Sequence, residues 1–154
     1  MKRFEYHLDG LLRVKRQLEH LAELEQQKAQ QAVADARARA DELKQRLTAA
    51  ADSLVARVGQ AVDASRWVTA YELTERLGRQ IVAAETDVQS AEKKLTDARN
   101  ERVQVATEVE ALRTLRQQQW DKWRQEVEQA GQEQLDEVGL RRWMAARASL
   151  SGAA

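Results

Sequence analysis

Apolar residues recur in alternating steps of four and three between Leu77 and Trp123. The positions of this repeat are Leu77, Ile81, Ala84, Val88, Ala91, Leu95, Ala98, Arg102, Val105, Val109, Leu112, Arg116, Gln119 and Trp123. In heptad notation, Ile81 opens the a positions and Leu77 the d positions. A spacing of 3.5 residues kept over this length is typical of a helix that packs along a second helix. The pattern therefore predicts a coiled coil whose seam is these residues.

The residues before this stretch carry a less regular helical pattern. An apolar stripe opens the chain, fades to alanine and returns as larger apolar residues. The stripe comprises Phe4, Leu8, Leu11, Leu12, Val14, Leu18 and Leu21, then Ala29, Ala32, Ala36 and Ala40, then Leu43, Leu47, Ala50, Leu54, Val58 and Val62. Because alanine favours helix but buries little surface, we expect the middle of this first arm to pack weakly.

The helical period is lost between Val58 and Trp67. Gly59 suits the end of a first helix, because glycine readily adopts the left-handed conformation found there. Either Asp63 or Ser65 can cap a second helix, since both side chains accept hydrogen bonds from free backbone N–H groups. The stretch is therefore interpreted as a turn between two helical arms.

These patterns predict an all-α protein in which two long helices form an antiparallel coiled-coil hairpin. The expected single domain covers residues 1–148. Its first helix is predicted at about 4–58, with a start at Gly10 after an Asp9 cap as the alternative. Its turn is predicted at about 59–66 and its second helix at about 67–147, and residues 149–154 are expected to form a disordered tail. A parallel homodimer of long helices is the alternative. The single turn between arms with comparable apolar patterns favours the hairpin.

Composition narrows the classes of function. The 25 Lys and Arg residues balance the 25 Asp and Glu residues, and this zero formal net charge argues against a nucleic-acid partner. The chain has no proline to interrupt a helix and no cysteine for a disulfide, a thiol nucleophile or a thiolate metal site. No apolar run approaches the roughly 20 residues that cross a bilayer, so we expect no transmembrane segment.

Catalytic and metal-binding patterns are not found in the sequence. His7 and His20 are the only histidines, and their spacing does not place them on one helix face. Carboxylates are plentiful, but general acid–base catalysis needs a desolvated cleft, which a two-helix coiled coil does not build. No glycine-rich phosphate loop is present. We expect no catalytic residue, no cofactor and no metal.

Two seam positions of the second arm are charged, Arg102 and Arg116. In one interpretation their alkyl stems cover the seam while the guanidinium groups reach solvent. In the other they select the register of the helices, as a polar a residue does in coiled coils. Glu19, Glu23 and Glu25 of the first arm are within reach for ion pairs.

Aromatic and basic residues concentrate near the predicted turn and near the chain termini. Trp67 stands beside the predicted turn and Leu73 falls outside the heptad register that Leu77 sets, which predicts exposed apolar surface beside the turn. Near the termini, basic residues accompany Trp143 and the aromatic side chains of Phe4 and Trp123. Tryptophan is common at binding hot spots, so both regions are candidate partner-binding surfaces.

Three segments resemble the flagellar export protein FliJ family. They are the opening Phe4-x-x-x-Leu8-x-x-Leu11-Leu12-x-Val14-Lys15, the turn segment Ala64-Ser65-Arg66-Trp67-Val68 followed by Leu73, Leu77 and Ile81, and the late segment Gln134-Leu135-Asp136-Glu137. The resemblance spans nearly the whole chain. Its more specific parts are the opening and the Arg-Trp pair after the turn, because any coiled coil shares the leucine spacing.

The resemblance implies a non-enzymatic, cytoplasmic component of the bacterial flagellar type III export apparatus. Such a protein is expected to be a stalk-like antiparallel coiled coil that supports export of flagellar proteins. The implied partners are the hexameric export ATPase with its regulator, the cytoplasmic domain of the export gate, and export chaperones. Association with the inner membrane at the flagellar base would be peripheral, through these partners.

The resemblance also suggests how the two candidate surfaces divide the partners. The region of the turn is expected to bind the gate, with candidates Leu43, Ala50, Trp67, Leu73, Leu77 and Ala84. The terminal region is expected to bind the ATPase, with candidates Arg13, Lys15, Arg16, Arg141, Arg142 and Trp143. A generic cytoplasmic coiled-coil adaptor or tether that forms a homodimer is the alternative function. A membrane-surface helix in the basic first turns is a further one.

Overall fold

The computed structural model of the chain describes residues 3–61 and 63–151, with side chains up to residue 148. Two helices account for most of these residues, α1 from Asp9–Val55 and α2 from Ala64–Ser151. The described residues contain no strand. The helices pack against each other in opposite directions, which confirms the predicted class of an antiparallel helical hairpin.

The first helix begins at Asp9, five residues after its predicted start. The segment before it is held on α2 in a non-helical conformation, since the Tyr6 hydroxyl donates a hydrogen bond to the Leu112 carbonyl at 3.2 Å. Tyr6 is only 7% exposed. Its backbone carbonyl accepts from the Asp9 N–H at 3.0 Å, and this turn leads into the helix. Packing of Tyr6 therefore sets the beginning of α1.

The turn lies about three residues earlier in the chain than the sequence predicts. Regular helix ends at Val55, and the chain continues through tighter turns such as the bond from the Val58 N–H to the Val55 carbonyl. Gly59 has a φ of 88°, a conformation that favours glycine. Of the two predicted caps, Asp63 precedes α2, and its carboxylate accepts from the Ser65 N–H at 3.4 Å and from the Ser65 hydroxyl at 2.8 Å. The second helix consequently starts at Ala64, three residues before its predicted start.

The second helix also runs further than predicted at its other end. It ends at Ser151, against an expected end at about 147. The predicted tail at 149–154 thus begins inside the helix, and its last part, residues 152–154, lies outside the described residues.

The contacts of the chain divide it into two compact units. The terminal unit joins Met1–Arg16 with Thr107–Ala154, and the turn unit is Gln17–Ala106. Ion pairs show the antiparallel direction within each. In the terminal unit, Asp9 pairs with Arg116 at 3.7 Å and Lys15 with Glu108 at 2.5 Å. In the turn unit, Arg37 pairs with Glu92 at 2.5 Å and Lys44 with Glu85 at 2.9 Å.

On α2 the buried positions are those of the predicted repeat. Leu77 and Leu95 in the turn unit and Val109 in the terminal unit are almost fully buried. The other apolar positions between Leu77 and Trp123 are half-buried. Arg102 and Arg116 are about half exposed and reach acidic side chains of α1, namely Glu23 for Arg102 at 3.8 Å and Asp9 for Arg116 at 3.7 Å. The stems thus lie at the seam and the charged groups at its edge.

On α1 the predicted apolar stripe is only partly right. Leu11, Val14, Leu18 and Leu21 are 42–56% exposed, and Ala32 is exposed as well. Leu12 and Ala29 of the predicted stripe do lie in the seam, and the positions that complete it are Lys15, Glu19, Ala22, Gln26 and Val33. These positions continue the 3.5-residue repeat backward from Leu47, Leu43, Ala40 and Ala36. A coiled-coil helix keeps one register, so α1 does not rotate to bury its exposed leucines.

The terminal unit contains an aromatic cluster. The Phe4 ring meets the Trp120 ring edge to face at 5.0 Å and lies 5.8 Å from the Trp123 ring. The two tryptophan rings are 4.9 Å apart. Packing of Phe4 on Trp120 and Trp123 holds Phe4 against α2.

Candidate partner-binding surfaces

In the part of the chain that the structure describes, no group of side chains forms a metal-binding or catalytic site. No three His, Cys, Asp or Glu side chains among these residues are grouped so that they could hold a metal ion. The His7 ring lies against the Tyr6 ring, and His20 approaches Glu23 at 4.0 Å on an exposed surface. None of the described helices is both long enough and apolar enough to pass through a lipid bilayer. The candidate sites are therefore surfaces.

The structure divides the six gate-binding candidates of the turn unit into two groups. Leu77 is 7% exposed, and its side chain is used in the seam. The half-buried seam residues are Leu43, Ala50 and Ala84. Trp67 and Leu73 are 38% and 46% exposed. Trp67 and Leu73 are therefore the most exposed members of the set, and a partner would meet their side chains first.

Further apolar residues beside the turn extend this surface. We define the turn surface as Val55, Val58, Trp67, Val68, Tyr71 and Leu73, which are 38–70% exposed. The sequence pattern predicted Val55 and Val58 inside the first helix and assigned no binding role to Val68 or Tyr71. A sequence signal existed for Val68, which adjoins Trp67 and falls outside the heptad register. Val55 and Val58 are exposed because α1 ends at Val55, where the helix no longer packs on α2.

The start of α2 at this surface is set by electrostatics. The pKa of the Asp63 carboxyl is lowered, chiefly by the hydrogen bond from the Ser65 hydroxyl and further by the Ser65 backbone N–H. A charged carboxylate at a helix N-terminus also interacts favourably with the helix dipole. Trp67 and Val68 lie in the first turns of α2, so the Asp63 cap positions part of the turn surface.

The six ATPase-binding candidates fall in two places within the terminal unit. Arg13, Lys15 and Arg16 lie in the first turns of α1. Lys15 is engaged with Glu108, whereas Arg13 and Arg16 are exposed. The members on α2 are Arg141, Arg142 and Trp143. Arg141 lies 18 residues beyond Trp123, which is about 27 Å along a helix. The structure does not bring the two groups together.

The second group belongs to a stretch of α2 without contact to α1. Phe4 packs on Trp120 and Trp123, and residues 132–148 are all exposed. We call residues 132–148 the C-terminal stretch. Its exposed apolar side chains are Leu135, Val138, Leu140, Trp143 and Met144. The Arg147 guanidinium lies over the Trp143 ring at 5.1 Å, and Arg141 pairs with Glu137 at 3.4 Å.

The apolar residues of the C-terminal stretch other than Trp143 were missed in the sequence. They follow the end of the regular repeat, and their helical spacing alone does not distinguish a buried stripe from an exposed one. A signal was present in the chain length, because the second arm has more residues than the first can cover. In the structure α2 has 88 residues and α1 has 47.

Fold and surfaces together define a two-helix coiled-coil hairpin that exposes apolar and basic side chains to other molecules. The family model described as "Flagellar FliJ protein" matches residues 4–148 of the chain. No curated protein and no solved structure matches it significantly. The chain belongs to the FliJ family and is a component of the flagellar protein export apparatus. The family is a non-catalytic export component, and the resemblance found in the sequence is confirmed.

Proposed function

We propose that this chain is a stalk-like coiled coil that binds both the hexameric export ATPase and the cytoplasmic domain of the export gate. Family membership assigns the chain to the flagellar export apparatus. The observation that carries the division of partners is that each compact unit has its own exposed apolar surface, the turn surface in one and the C-terminal stretch in the other. The ATPase regulator and export chaperones are further proposed partners, and peripheral association with the inner membrane follows from such contacts.

The C-terminal stretch fits the ATPase best. A single helix with its side chains is about 10–12 Å across, which suits insertion into the centre of a ring of subunits. Between Leu140 and Ala148 the only charged residues are Arg141, Arg142 and Arg147. A basic stretch with exposed Trp143 and Met144 offers both charge attraction and apolar contact area. Arg13 and Arg16 would add basic contacts where α1 accompanies α2.

The turn surface fits the gate. It combines aromatic side chains, which are common at binding hot spots, with valines that no helix covers. Trp67 and Tyr71 lie one helical turn apart on α2, and Leu73 adds apolar area nearby. The seam residues Leu43, Ala50, Leu77 and Ala84 support this surface by holding the two helices together.

Two variants test the division of partners. The first is Trp67→Ala with Leu73→Ala, and the second is a chain cut after Glu126. Each is measured for binding to the purified ATPase and to the cytoplasmic domain of the gate by pull-down and calorimetry. The first variant is expected to lose the gate and keep the ATPase, and the second to do the reverse. Loss of the same partner by both, with helix content unchanged by circular dichroism, contradicts the proposal.

Matched controls separate binding from folding. Val82→Ala removes an apolar side chain that is 64% exposed in the turn unit but lies away from the turn surface, and it is expected to leave gate binding unchanged. In the full-length chain, Trp143→Ala with Leu140→Ser keeps α2 at its full length while removing apolar contact area. This variant is expected to weaken ATPase binding about tenfold or more, as loss of a hot-spot side chain does.

A further inference from the structure

The two long sides of the seam in the turn unit are built differently. On the side of the e positions, ion pairs bridge the helices: Arg37 with Glu92 at 2.5 Å and Lys44 with Glu85 at 2.9 Å. The pKa of Lys44 is raised, chiefly by its hydrogen bond to Glu85. We call this the paired side. On the opposite side, that of the g positions, the described residues of the turn unit form no ion pair between the helices. We call this the open side.

Grooves follow one another along the open side. One of about 660 Å³ lies over the alanine-rich part of the seam, and the next, of about 380 Å³, continues toward the turn. A third, of about 370 Å³, lies beside the turn, and we call it the turn groove. The g positions lining these grooves are Glu25, Ala32, Arg39, Arg46 and Ser53 on α1 and Arg66, Leu73, Gln80, Asp87, Lys94 and Glu101 on α2.

The open side is basic in the half nearer the turn. Arg57 and Arg66 line the turn groove, which has no acidic lining residue. Arg39 and Arg46 line the next groove along with one acidic residue, Asp87. Arg46 pairs with Glu42 of its own helix, whereas Arg39, Arg57 and Arg66 form no ion pair with any described residue. Three guanidinium groups are thus available to an anionic partner.

The floor of this half is apolar and shallow. In the turn groove it consists of Ala50, Leu54, Ala70 and Leu73, and in the next groove of Ala36, Leu43, Ala83 and Ala84. Alanine side chains allow another helix to approach closely, while the leucines provide apolar contact area. From Arg39 to Leu54 the grooves follow α1 for 15 residues, about 22 Å, which matches roughly two heptads of a third helix.

We propose that the turn half of the open side binds an acidic amphipathic helix of a partner protein, forming a local three-helix packing. The apolar edge of that helix lies on the alanines and leucines, and its flanking carboxylates pair with Arg39, Arg57 and Arg66. Arginine suits this role because its planar guanidinium group binds carboxylates in a bidentate manner. The proposal rests on the proposed function for the identity of the partner, the export gate, but not for the chemistry of the groove.

A second copy of this chain fits the groove less well. A symmetric contact through the open side would place Arg57 and Arg66 of both copies along the same interface, where like charges repel each other. An acidic helix removes this repulsion. Self-association is therefore an outcome that the experiment must be able to detect.

The experiment measures binding of two designed helical peptides of about three heptads to the full-length chain by calorimetry. Both carry leucine and alanine along one edge, flanked by glutamate in one peptide and by lysine in the other. The acidic peptide is expected to bind, with an affinity that falls as salt is raised, and the basic peptide is expected to show no binding. Equal binding of the two peptides, or none by the acidic one, overturns the proposal.

A pair of double variants locates the binding. Arg57→Glu with Arg66→Glu is expected to weaken the acidic peptide about tenfold or more. The control, Arg79→Glu with Lys93→Glu, makes the same change in charge at exposed positions that face away from the seam. It is expected to leave the affinity within about twofold, since exposed distant charges are screened by salt. Equal weakening by both variants overturns the proposal. It is also overturned if sedimentation velocity shows that the chain self-associates and that this self-association blocks binding of the peptide.

The gate domain separates this inference from the proposed function. If Trp67→Ala with Leu73→Ala abolishes gate binding while Arg57→Glu with Arg66→Glu does not, the proposed function holds and the acidic-helix inference is overturned. If the acidic peptide depends on Arg57 and Arg66 but the gate domain does not bind the chain, the inference holds and the gate assignment fails. Loss of both ligands in the arginine variant supports the two proposals together.

Discussion

Asp63 controls the first turn of α2 through two hydrogen bonds to Ser65. An ionised carboxylate accepts both bonds, and the pKa of Asp63 is lowered as a result. A group whose pKa is lower in the folded state stabilises the fold above its unfolded pKa of about 3.9. That contribution is lost as the pH falls through the lowered folded pKa. Because Asp63 is exposed, the effect is local to the start of α2.

We therefore predict that acid loosens the first turn of α2. Between about pH 6 and about pH 3, amide hydrogen exchange at Arg66 and Trp67, corrected for the intrinsic pH dependence, is expected to lose protection. The variant Asp63→Ser keeps an oxygen acceptor that does not titrate in this range, so its protection should be independent of pH. Identical pH profiles for Asp63→Ser and the unmodified chain would rule out the carboxylate as the cause.

The two helices show how a single register governs which residues are buried. On α2 the large apolar residues coincide with the 3.5-residue repeat, and Leu77 and Leu95 are buried. On α1 the repeat passes through Lys15, Glu19 and Gln26, while Leu18 and Leu21 remain exposed beside it. Continuity of the coiled coil outweighs the local gain from burying two leucines, since a local rotation of α1 would expose the positions that follow.

A charge in the seam of α2 should be far more damaging than the same charge beside it. Leu95→Asp places a carboxylate where the native side chain is 9% exposed, and the expected loss is about 3 kcal/mol or more of unfolding free energy. Val82→Asp, at a side chain that is 64% exposed, is expected to change stability by less than about 1 kcal/mol. Urea unfolding followed by circular dichroism measures both. Equal midpoints would show that Leu95 does not lie in a seam.

Few of the described side chains are fully buried. The buried apolar residues among them are Tyr6, Leu12, Ala22, Val33, Ala36, Ala40, Leu77, Leu95 and Val109, and three of the nine are alanine. Alanine contributes little hydrophobic free energy on burial. A fold with so little core gains stability when a partner binds it, because binding of the folded state shifts the unfolding equilibrium. This agrees with a protein that works within an export apparatus.

The hairpin predicts which positions can be crosslinked. Cysteines at positions 37 and 92, which replace the ion-paired Arg37 and Glu92, are expected to be joined within one chain by a short thiol-reactive crosslinker, because the native side chains already bridge this gap. Cysteines in place of Lys15 and Glu108 should be joined in the same way in the terminal unit. Denaturing electrophoresis and mass spectrometry distinguish monomers with an internal crosslink from linked dimers. A control with cysteines at positions 37 and 79 should not close within one chain, and dimers as the main product of the first two pairs would favour the parallel homodimer.

The sequence alone determined the helical class, the seam of α2 and the position of the turn. These features depend on local rules: a repeat of 3.5 residues from Leu77 onward, absence of proline, and a glycine followed by a capping residue. The exposure of Leu73 was also readable, because it falls outside the heptad register, and that of Trp67 was indicated by its place beside the turn. Membership of the FliJ family was visible in the same residues.

Only the tertiary structure decided which stripe of α1 faces α2 and which side of the seam is open. The leucines at positions 11, 18 and 21 have helical spacing, as do the buried positions, so spacing alone does not rank the two stripes. The choice depends on the partner helix and on a register kept along α1. The basic lining of the turn groove likewise appears only when Arg57 of the turn and Arg66 of α2 come to line one groove. Residues of separate segments acquire a shared chemistry through packing, which no local pattern encodes.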